Sequence, residues 1–285
     1  MPNATNGHLS RALWDASGAT ARHRLIRQIE RLTKRRLITY VSSFTQEGMI
    51  VPDDQTPVVD LLSDARPEEP IDLLINSPGG LPDATETLIR NAFRATNRPF
   101  RIIVASSAKS AATLLALGAD EIVMGFTSQL GPIDPQVWSP RAGMMLPARA
   151  VLQAYKSLTQ PAQLSPGAMT IASQLDPGFV TYCQQALDRS KMLASTWLAQ
   201  WMLAGNQAKA EQIADRLADD PALTASHGQV INAQDAQNMG LKINLLDASD
   251  PTWRAIWELY VRTDVAVKQA NITKLIESRN RSFTM

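Results

Sequence analysis

Two stretches carry the residue types from which acyl-transfer chemistry is built: Asn76-Ser77-Pro78-Gly79-Gly80 and Ala108-Lys109-Ser110-Ala111-Ala112. A serine at the mouth of a helix serves as a nucleophile once a base lies within hydrogen-bond reach. Adjacent glycines let the backbone approach a ligand, because no side chain stands in the way. Helix starts leave N–H groups without intrahelical partners. Aimed at an oxygen that is gaining negative charge, such groups form an oxyanion hole. The pattern points to attack by Ser110 on a carbonyl.

The base is the harder question. Histidine is scarce, with only His8, His23 and His227 in the chain. His8 and His23 lie near the N-terminus, and His227 sits far downstream in a Ser226-His227-Gly228 turn. A Ser-His-Asp triad through His227 competes with a plain turn histidine bonded to backbone, and the second reading is preferred. A lysine replaces histidine when apolar burial keeps its amine neutral. Lys109 adjoins Ser110, and neighbouring helical residues point apart, so it suits solvent or a partner subunit. Lys191, in Asp188-Arg189-Ser190-Lys191, reads as part of a solvated helix face. Lys156, in Val151-Leu152-Gln153-Ala154-Tyr155-Lys156, has a context that suits burial. The residues alone divide evenly between Lys156 as base and a surface role for every lysine. No cofactor is expected, since the chain lacks a Gly-Lys-Ser/Thr phosphate loop and the chemistry needs no metal.

The elements that must position these groups follow from periodicity. Strands are expected at 37–43, 71–75, 101–105 and 121–124. Between them come a short helix at 58–62, a helix at 82–96 with Ala84, Leu88, Ala92 and Ala95 inward, and a helix at 109–118. Short strands alternating with helices predict a mainly parallel sheet flanked by helices. Ligands in such folds gather at the carboxyl ends of strands, where both turns of interest lie. Further on, 129–135 is a rigid turn-rich segment, 147–158 a helix, and 160–167 a loop. A long helix at 178–204 presents Phe179, Tyr182, Cys183, Ala186 and Leu187 on one face. Helices at 207–217 and 233–239 follow, the latter closed by Gly240. The tail from Pro251 reads as helical and aromatic, with Trp253, Trp257 and Tyr260 either contacting another subunit or packing on their own domain.

With 285 residues, 45% of them apolar, the chain suits one large domain with extensions. The expected division is a disordered segment 1–20, a core domain 21–250 and a C-terminal helical extension 251–285. A net charge of +1 gives no general reason to expect nucleic acid or an anionic membrane as partner. The basic helix at 21–36 accordingly reads as a solvated face or subunit contact. One cysteine, Cys183, makes no internal disulfide and fits a reducing compartment. No signal-like apolar run or membrane-length stretch is present, so a cytoplasmic location is expected.

Four motifs in order then carry a resemblance: Asn-Ser-Pro-Gly-Gly at 76–80, Ala-Lys-Ser-Ala-Ala at 108–112, Leu-Gly-Ala-Asp-Glu-Ile-Val-Met at 117–124 and Gly-Pro-Ile-Asp-Pro-Gln at 131–136. They resemble the ClpP-class serine proteases, in particular the signal-peptide-peptidase A-like group often labelled serine dehydrogenase proteinase. The similarity spans roughly 25–247 and includes the stretch from Gly228 to Leu241. It implies a ClpP/crotonase-like α/β fold of stacked ββα units and a serine endopeptidase with Ser110 as nucleophile. It implies an oxyanion hole from Gly79, Gly80 and Ala111, a peptide or unfolded-protein substrate, and a homo-oligomer. It further implies a Ser–Lys dyad with Lys156 as base, because the chain reads Ile133-Asp134-Pro135 where ClpP carries its histidine. Where that group has a glycine-rich run after its serine, this chain has Ala111-Ala112-Thr113. Two other readings stand beside this one. Acyl-CoA hydratase or thioesterase chemistry of the same superfamily would need Glu86 or Asp134 as its carboxylate. A catalytically inactive scaffold or peptide-binding module would leave Ser110 as a helix cap.

Overall fold

Apolar residues fill the expected strands with no polar alternation, the pattern of strands covered on both faces. The computed structural model describes residues 18–159, 165–174, 176–224 and 226–285. Expectations for residues 1–17, His8 among them, and for 160–164 of the 160–167 loop lie outside the described residues.

In chain order the elements are α1 (Ala19–Thr33), β1 (Arg36–Ser42), α2 (Gln55–Leu62), β2 (Ile71–Ser77), α3 (Pro82–Leu88), β3 (Phe100–Ala108), α4 (Ala111–Leu117), β4 (Glu121–Met124) and β5 (Gln129–Leu130). There follow β6 (Gln136–Ser139), β7 (Met144–Pro147), α5 (Ala148–Thr159), α6 (Pro166–Ala172), α7 (Pro177–Gln200) and α8 (Gln207–Asp219). The chain closes with β8 (Ile231–Asn232), α9 (Ala233–Met239), β9 (Ile243–Leu245), α10 (Pro251–Ala270), β10 (Lys274–Glu277) and β11 (Ser282–Thr284). Two compact units result, Met1–Leu130 with Val230–Met285, and Gly131–Gln229.

The first unit is a mixed α/β structure around a mostly parallel sheet in the order β11-β10-β1-β2-β3-β4-β9. Strands β1, β2, β3, β4 and β9 pair in parallel, while the β10–β11 hairpin adds antiparallel to β1. Strand β5 runs parallel to the end of β3 and antiparallel to β8. One face is covered by α1 and α10, through Ile26, Ile29, Trp253, Ile256 and Leu259 against Leu37, Val41, Leu74, Ile103 and Val123. Successive side chains alternate across a strand, so Leu73 and Ile75, also buried, point to the opposite face. Full burial of Ile, Leu and Val side chains contributes about 1.5–3 kcal/mol each before entropy is subtracted.

Two expectations need correction. The helix from Pro82 does not run regularly to 96: Ile89–Phe93 forms a π turn, with the Arg94 N–H donating to Ile89 O at 2.8 Å. The wider turn rotates the inward face, so Ile89 and Phe93 join Ala84, Leu88 and Ala92 inside while Ala95 is exposed. Phe93 then stacks on Phe100, ring centroids 4.7 Å apart. The tail from Pro251 is helical only to Ala270, after which β10 and β11 join the sheet. Its aromatic residues pack on their own unit: Trp253 is buried in the core, and Trp257 and Tyr260 pack partly buried against it.

The second unit holds the β6–β7 hairpin and helices α5 to α8. The hairpin was not anticipated; it exposes Trp138, Met144 and Met145. Helix α7 buries Val180, Cys183, Leu187, Ala194 and Trp197, while Tyr182 is exposed, so its inner stripe is rotated from the expected one. Cys183 is a free, buried thiol whose pKa burial pushes up.

Candidate active site

Strands β2 and β3 run side by side past their apolar cores, and Ser77 still pairs with Ala108 at their ends. The Lys109 N–H donates to Ser77 O at 3.1 Å, and the Ser107 N–H to Asn76 Oδ1 at 3.1 Å. These bonds join the two turns. Pro78 then ends the pairing, and Gly79 and Gly80 follow at φ +104° and +153°, values open chiefly to glycine.

Both glycines are forced by contact as well as by conformation. A Cβ on Gly79 would lie 2.6 Å from Lys109 O, 2.7 Å from Ser110 Cβ and 2.9 Å from Ala111 N. The Gly79 backbone therefore lies directly against the Ser110 segment. A Cβ on Gly80 would lie 2.3 Å from Ile50 N. Ile50 brackets this turn, its N–H donating to Gly79 O at 2.7 Å and its carbonyl accepting from the Leu81 N–H at 2.9 Å.

Ser110 stands just before α4 at φ 50°, ψ −119°. A non-glycine residue there holds about 1–3 kcal/mol of backbone strain, as in sharp strand-to-helix turns that expose a nucleophile. Its hydroxyl makes no capping hydrogen bond, so the helix-cap explanation for this serine finds no support. Helix α4 behind it is buried throughout. Among the described residues, neither the Gly80 N–H nor the Ala111 N–H donates to a protein acceptor, whereas the Gly79 N–H goes to Ser77 Oγ at 3.2 Å. The turn thus offers two uncommitted donors, Gly80 and Ala111, with Gly79 giving the close approach.

Lys109 does not face solvent. It is half-buried, its Nζ donates to Leu130 O at 3.0 Å, and burial lowers its pKa. It ties the end of β3 to β5. His23, on α1, meets Ser282 Oγ at 2.9 Å beside Glu277, so it belongs to the anchoring of the C-terminal hairpin. Glu86 is paired with Arg90 along α3 at 2.7 Å.

The other expected site residues lie in the second unit. Lys156 projects from α5, whose buried residues are Ala148, Val151 and Leu152. The burial suggested by its neighbours is absent: Lys156 is exposed. It lines a concavity of about 190 Å3 with Arg149, Lys191 and Asp219. Lys191 is paired rather than merely solvated, with Asp219 at 2.9 Å and Asp215 at 3.1 Å. Its burial disfavours the charge, but the hydrogen bonds and charges of Asp219 and Asp215 outweigh that and raise its pKa.

Among the described residues the His227 ring bonds a side chain and no backbone group, contrary to the preferred reading. Its Nδ1 lies 2.8 Å from Asp134 Oδ1, and the Asp134 carboxylate is fully buried. The Gln136 side-chain amide donates to Asp134 Oδ2 at 2.9 Å. An imidazole whose Nδ1 is held by a buried carboxylate has its Nε2 free to take a proton. The sequence reading named both residues but not their union. The signal available was a buried-type acid in the Ile133-Asp134-Pro135 turn and a histidine in a second tight turn. Among the described residues no three His, Cys, Asp or Glu side chains converge as a metal site, and no helix is long and apolar enough to cross a membrane.

Comparison with known proteins adds three findings. A family model described as ClpP-like SDH-type serine proteinase matches residues 10–262. Two uncharacterised proteins of Methanocaldococcus jannaschii are 34% identical over 125 residues (41% of this chain, 43% of theirs) and 33% identical over 142 residues (47% and 46%). The chain thus spans less than half the length of the curated relatives it matches. Among solved structures, a lysine-to-alanine mutant of the 1510-N membrane-bound stomatin-specific protease with a substrate peptide aligns over 86% of this chain and 84% of that one, at 16% identity and TM-score 0.42. A serine-to-alanine mutant of the same protease aligns over 71% and 76%, at 18% identity and TM-score 0.41.

Proposed function

Since the chain belongs to the ClpP-like SDH-type serine proteinases, we propose that it cleaves peptide bonds with Ser110 as nucleophile and the Gly80 and Ala111 N–H groups as its oxyanion hole. The observation that carries this reading is the contact of the two turns: Gly79 lies so close that a Cβ there would be 2.7 Å from Ser110 Cβ. A strained, uncapped serine beside two uncommitted amide donors is what acyl transfer needs, and a structural role needs none of it.

In the proposed reaction a base takes the Ser110 proton as Oγ attacks the peptide carbonyl. The oxyanion is held by the two N–H groups, and the protonated base then donates to the leaving amine. Water attacks the acyl-enzyme by the same route in reverse. The family resemblance assigns the base to Lys156. A second assignment, His227 oriented by Asp134, is favoured by the 2.8 Å bond between them and by the exposure of Lys156.

The test is labelling by a serine-directed fluorophosphonate. Wild type should label and Ser110→Ala should not. Loss in His227→Gln with retention in Lys156→Ala assigns the base to histidine, and the opposite result assigns it to lysine. A folded wild-type protein that neither labels nor cleaves unfolded protein would sink the peptidase reading in favour of the scaffold. Labelling-independent turnover of an acyl-CoA would favour the hydratase or thioesterase chemistry. A peptide substrate, assembly into homo-oligomers and a cytoplasmic location belong to the same proposal; sedimentation velocity tests the assembly.

A further inference from the structure

A buried ion pair lies four residues beyond Ile50, the bracket that holds the oxyanion turn. Lys274, on β10 and 2% exposed, donates from Nζ to Asp54 Oδ1 at 2.7 Å and to Oδ2 at 3.0 Å. Asp54, at 0% exposure, also accepts from the Tyr40 hydroxyl at 2.8 Å and from the Val51 N–H at 2.8 Å. One carboxylate therefore gathers a strand lysine, a strand phenol and the amide that follows Ile50. Ile50 in turn bonds both sides of the Gly79-Gly80-Leu81 backbone. The path from Lys274 to the backbone on either side of Gly80 lies within the first unit: Lys274–Asp54, Asp54–Val51, the peptide link from Val51 to Ile50, then the bonds of Ile50 with Gly79 and Leu81.

A buried ion pair is weak evidence for stability, because well-packed apolar residues of similar volume often do as well. What it does supply is a fixed geometry, since charge-assisted hydrogen bonds are short and directional. Nothing in the sheet pairing calls for a lysine here: Lys274 occupies a strand position opposite Ser42, next to the buried Leu275 and Ile276. The turn it reaches is one whose donors must be held before the reaction begins.

We propose that the Lys274–Asp54 ion pair, with Tyr40, is the positioning element of the oxyanion turn, acting through Val51 and Ile50 to fix the Gly80 N–H. Lys274, Asp54 and Tyr40 are positioning residues and touch no reacting atom. The catalytic consequence rests on the peptidase reading above; the mechanical link does not.

Two readouts on the same variants keep those apart. In Lys274→Met, amide hydrogen exchange at Ile50 and Leu81 should quicken about tenfold or more, while amides in the middle of β2 and β3, such as Leu74 and Ile103, stay protected. The maximal rate of fluorophosphonate acylation should fall about ten- to a hundredfold with the probe's half-saturation within about twofold, because a misplaced donor slows the chemistry and not the encounter. Lys274→Arg, which keeps the charge, should recover part of both. Where Lys274→Met alone does not fold, the double variant Lys274→Met with Asp54→Asn removes both charges and leaves no lone buried carboxylate. A folded variant with wild-type exchange at Ile50 and Leu81 overturns the proposal, as does quickening that is uniform across the sheet. Wild type that exchanges as described but never labels overturns the peptidase reading and leaves the mechanical link intact.

Discussion

The contact between Gly79 and Ser110 permits a quantitative prediction for Gly79→Ala. The new Cβ would face Lys109 O at 2.6 Å, Ser110 Cβ at 2.7 Å and Ala111 N at 2.9 Å, where ordinary contact begins near 3.4 Å. The two turns must therefore part by about 0.8 Å, well above thermal give in a packed interior. Two of those three atoms are backbone and the third is the nucleophile's own Cβ, so no flexible side-chain end absorbs the strain. An alanine at positive φ adds roughly 1–2 kcal/mol, and overpacking about 1–3 kcal/mol more. The fall in stability should be about 2–5 kcal/mol, read from the urea midpoint at unchanged slope. A displacement of that size at the reacting atoms costs about a hundredfold in rate, and a lost oxyanion donor about 10²–10³. Fluorophosphonate labelling should therefore slow by at least about a hundredfold in protein that circular dichroism shows to be folded. Labelling within twofold of wild type, at wild-type stability, would refute the placement of Gly79 against Ser110.

Three further outcomes are expected. Ser110→Gly, which relieves φ 50° at that position, should abolish labelling and raise stability by about 1 kcal/mol; a destabilised variant would show that the serine stores no strain. His23 has its pKa lowered, by burial first and by Arg22 and Arg27, against the opposing pull of Glu277. The unfolded chain then binds the proton more readily, so this histidine's contribution is present above its ordinary value of 6.5 and is lost as pH falls below that. His23→Gln should flatten that limb of the stability–pH curve, and an unchanged limb counts against the shift. Whichever residue is the base, the residual labelling left after its replacement should lack the lower limb of the wild-type pH profile, so Lys156→Ala and His227→Gln are to be compared across pH and not at one value.

Much of the fold was legible because its signals are local. Pro78, Gly79 and Gly80 announce a turn in any context, and the apolar runs Leu73–Ile75 in β2 and Ile102–Ala105 in β3 demand cover on both faces. The C-terminal hairpin was not legible, for a physical reason. Lys274 and Glu277 disguise β10 as a polar tail, yet both are buried because distant partners neutralise them, Asp54 in one case and Arg22 in the other. The π turn escaped in the same way: periodicity placed Ala95 inside, and only the stacking of Phe93 on Phe100 explains why the helix widens instead. Ser110, Gly79, Gly80 and Ala111 lie in one unit, where the Gly79 backbone meets Ser110 and Ala111. Lys156 has the expected helix but not the expected burial.

The choice of base turns on what each group requires of its surroundings. An ammonium must be desolvated to lose its proton near neutrality, and desolvation needs bulk on every side. Lys156 meets water instead, beside Arg149 and Lys191, whose own charges are held by Asp219. An occupant covering that concavity would have to supply the burial, and would do so next to two further cations. An imidazole in this role asks to be oriented. Asp134 supplies orientation, and Gln136 fixes Asp134 in turn. The buried carboxylate also gives the pair a reason to exist: among the described residues, Asp134 without His227 would keep the Gln136 amide as its side-chain partner. His227→Gln, which keeps a donor to Asp134 but has no proton-accepting nitrogen, therefore separates the two roles. Retained fold with lost labelling marks His227 as the base, whereas retained fold with retained labelling confines it to satisfying Asp134 and returns the proton to Lys156.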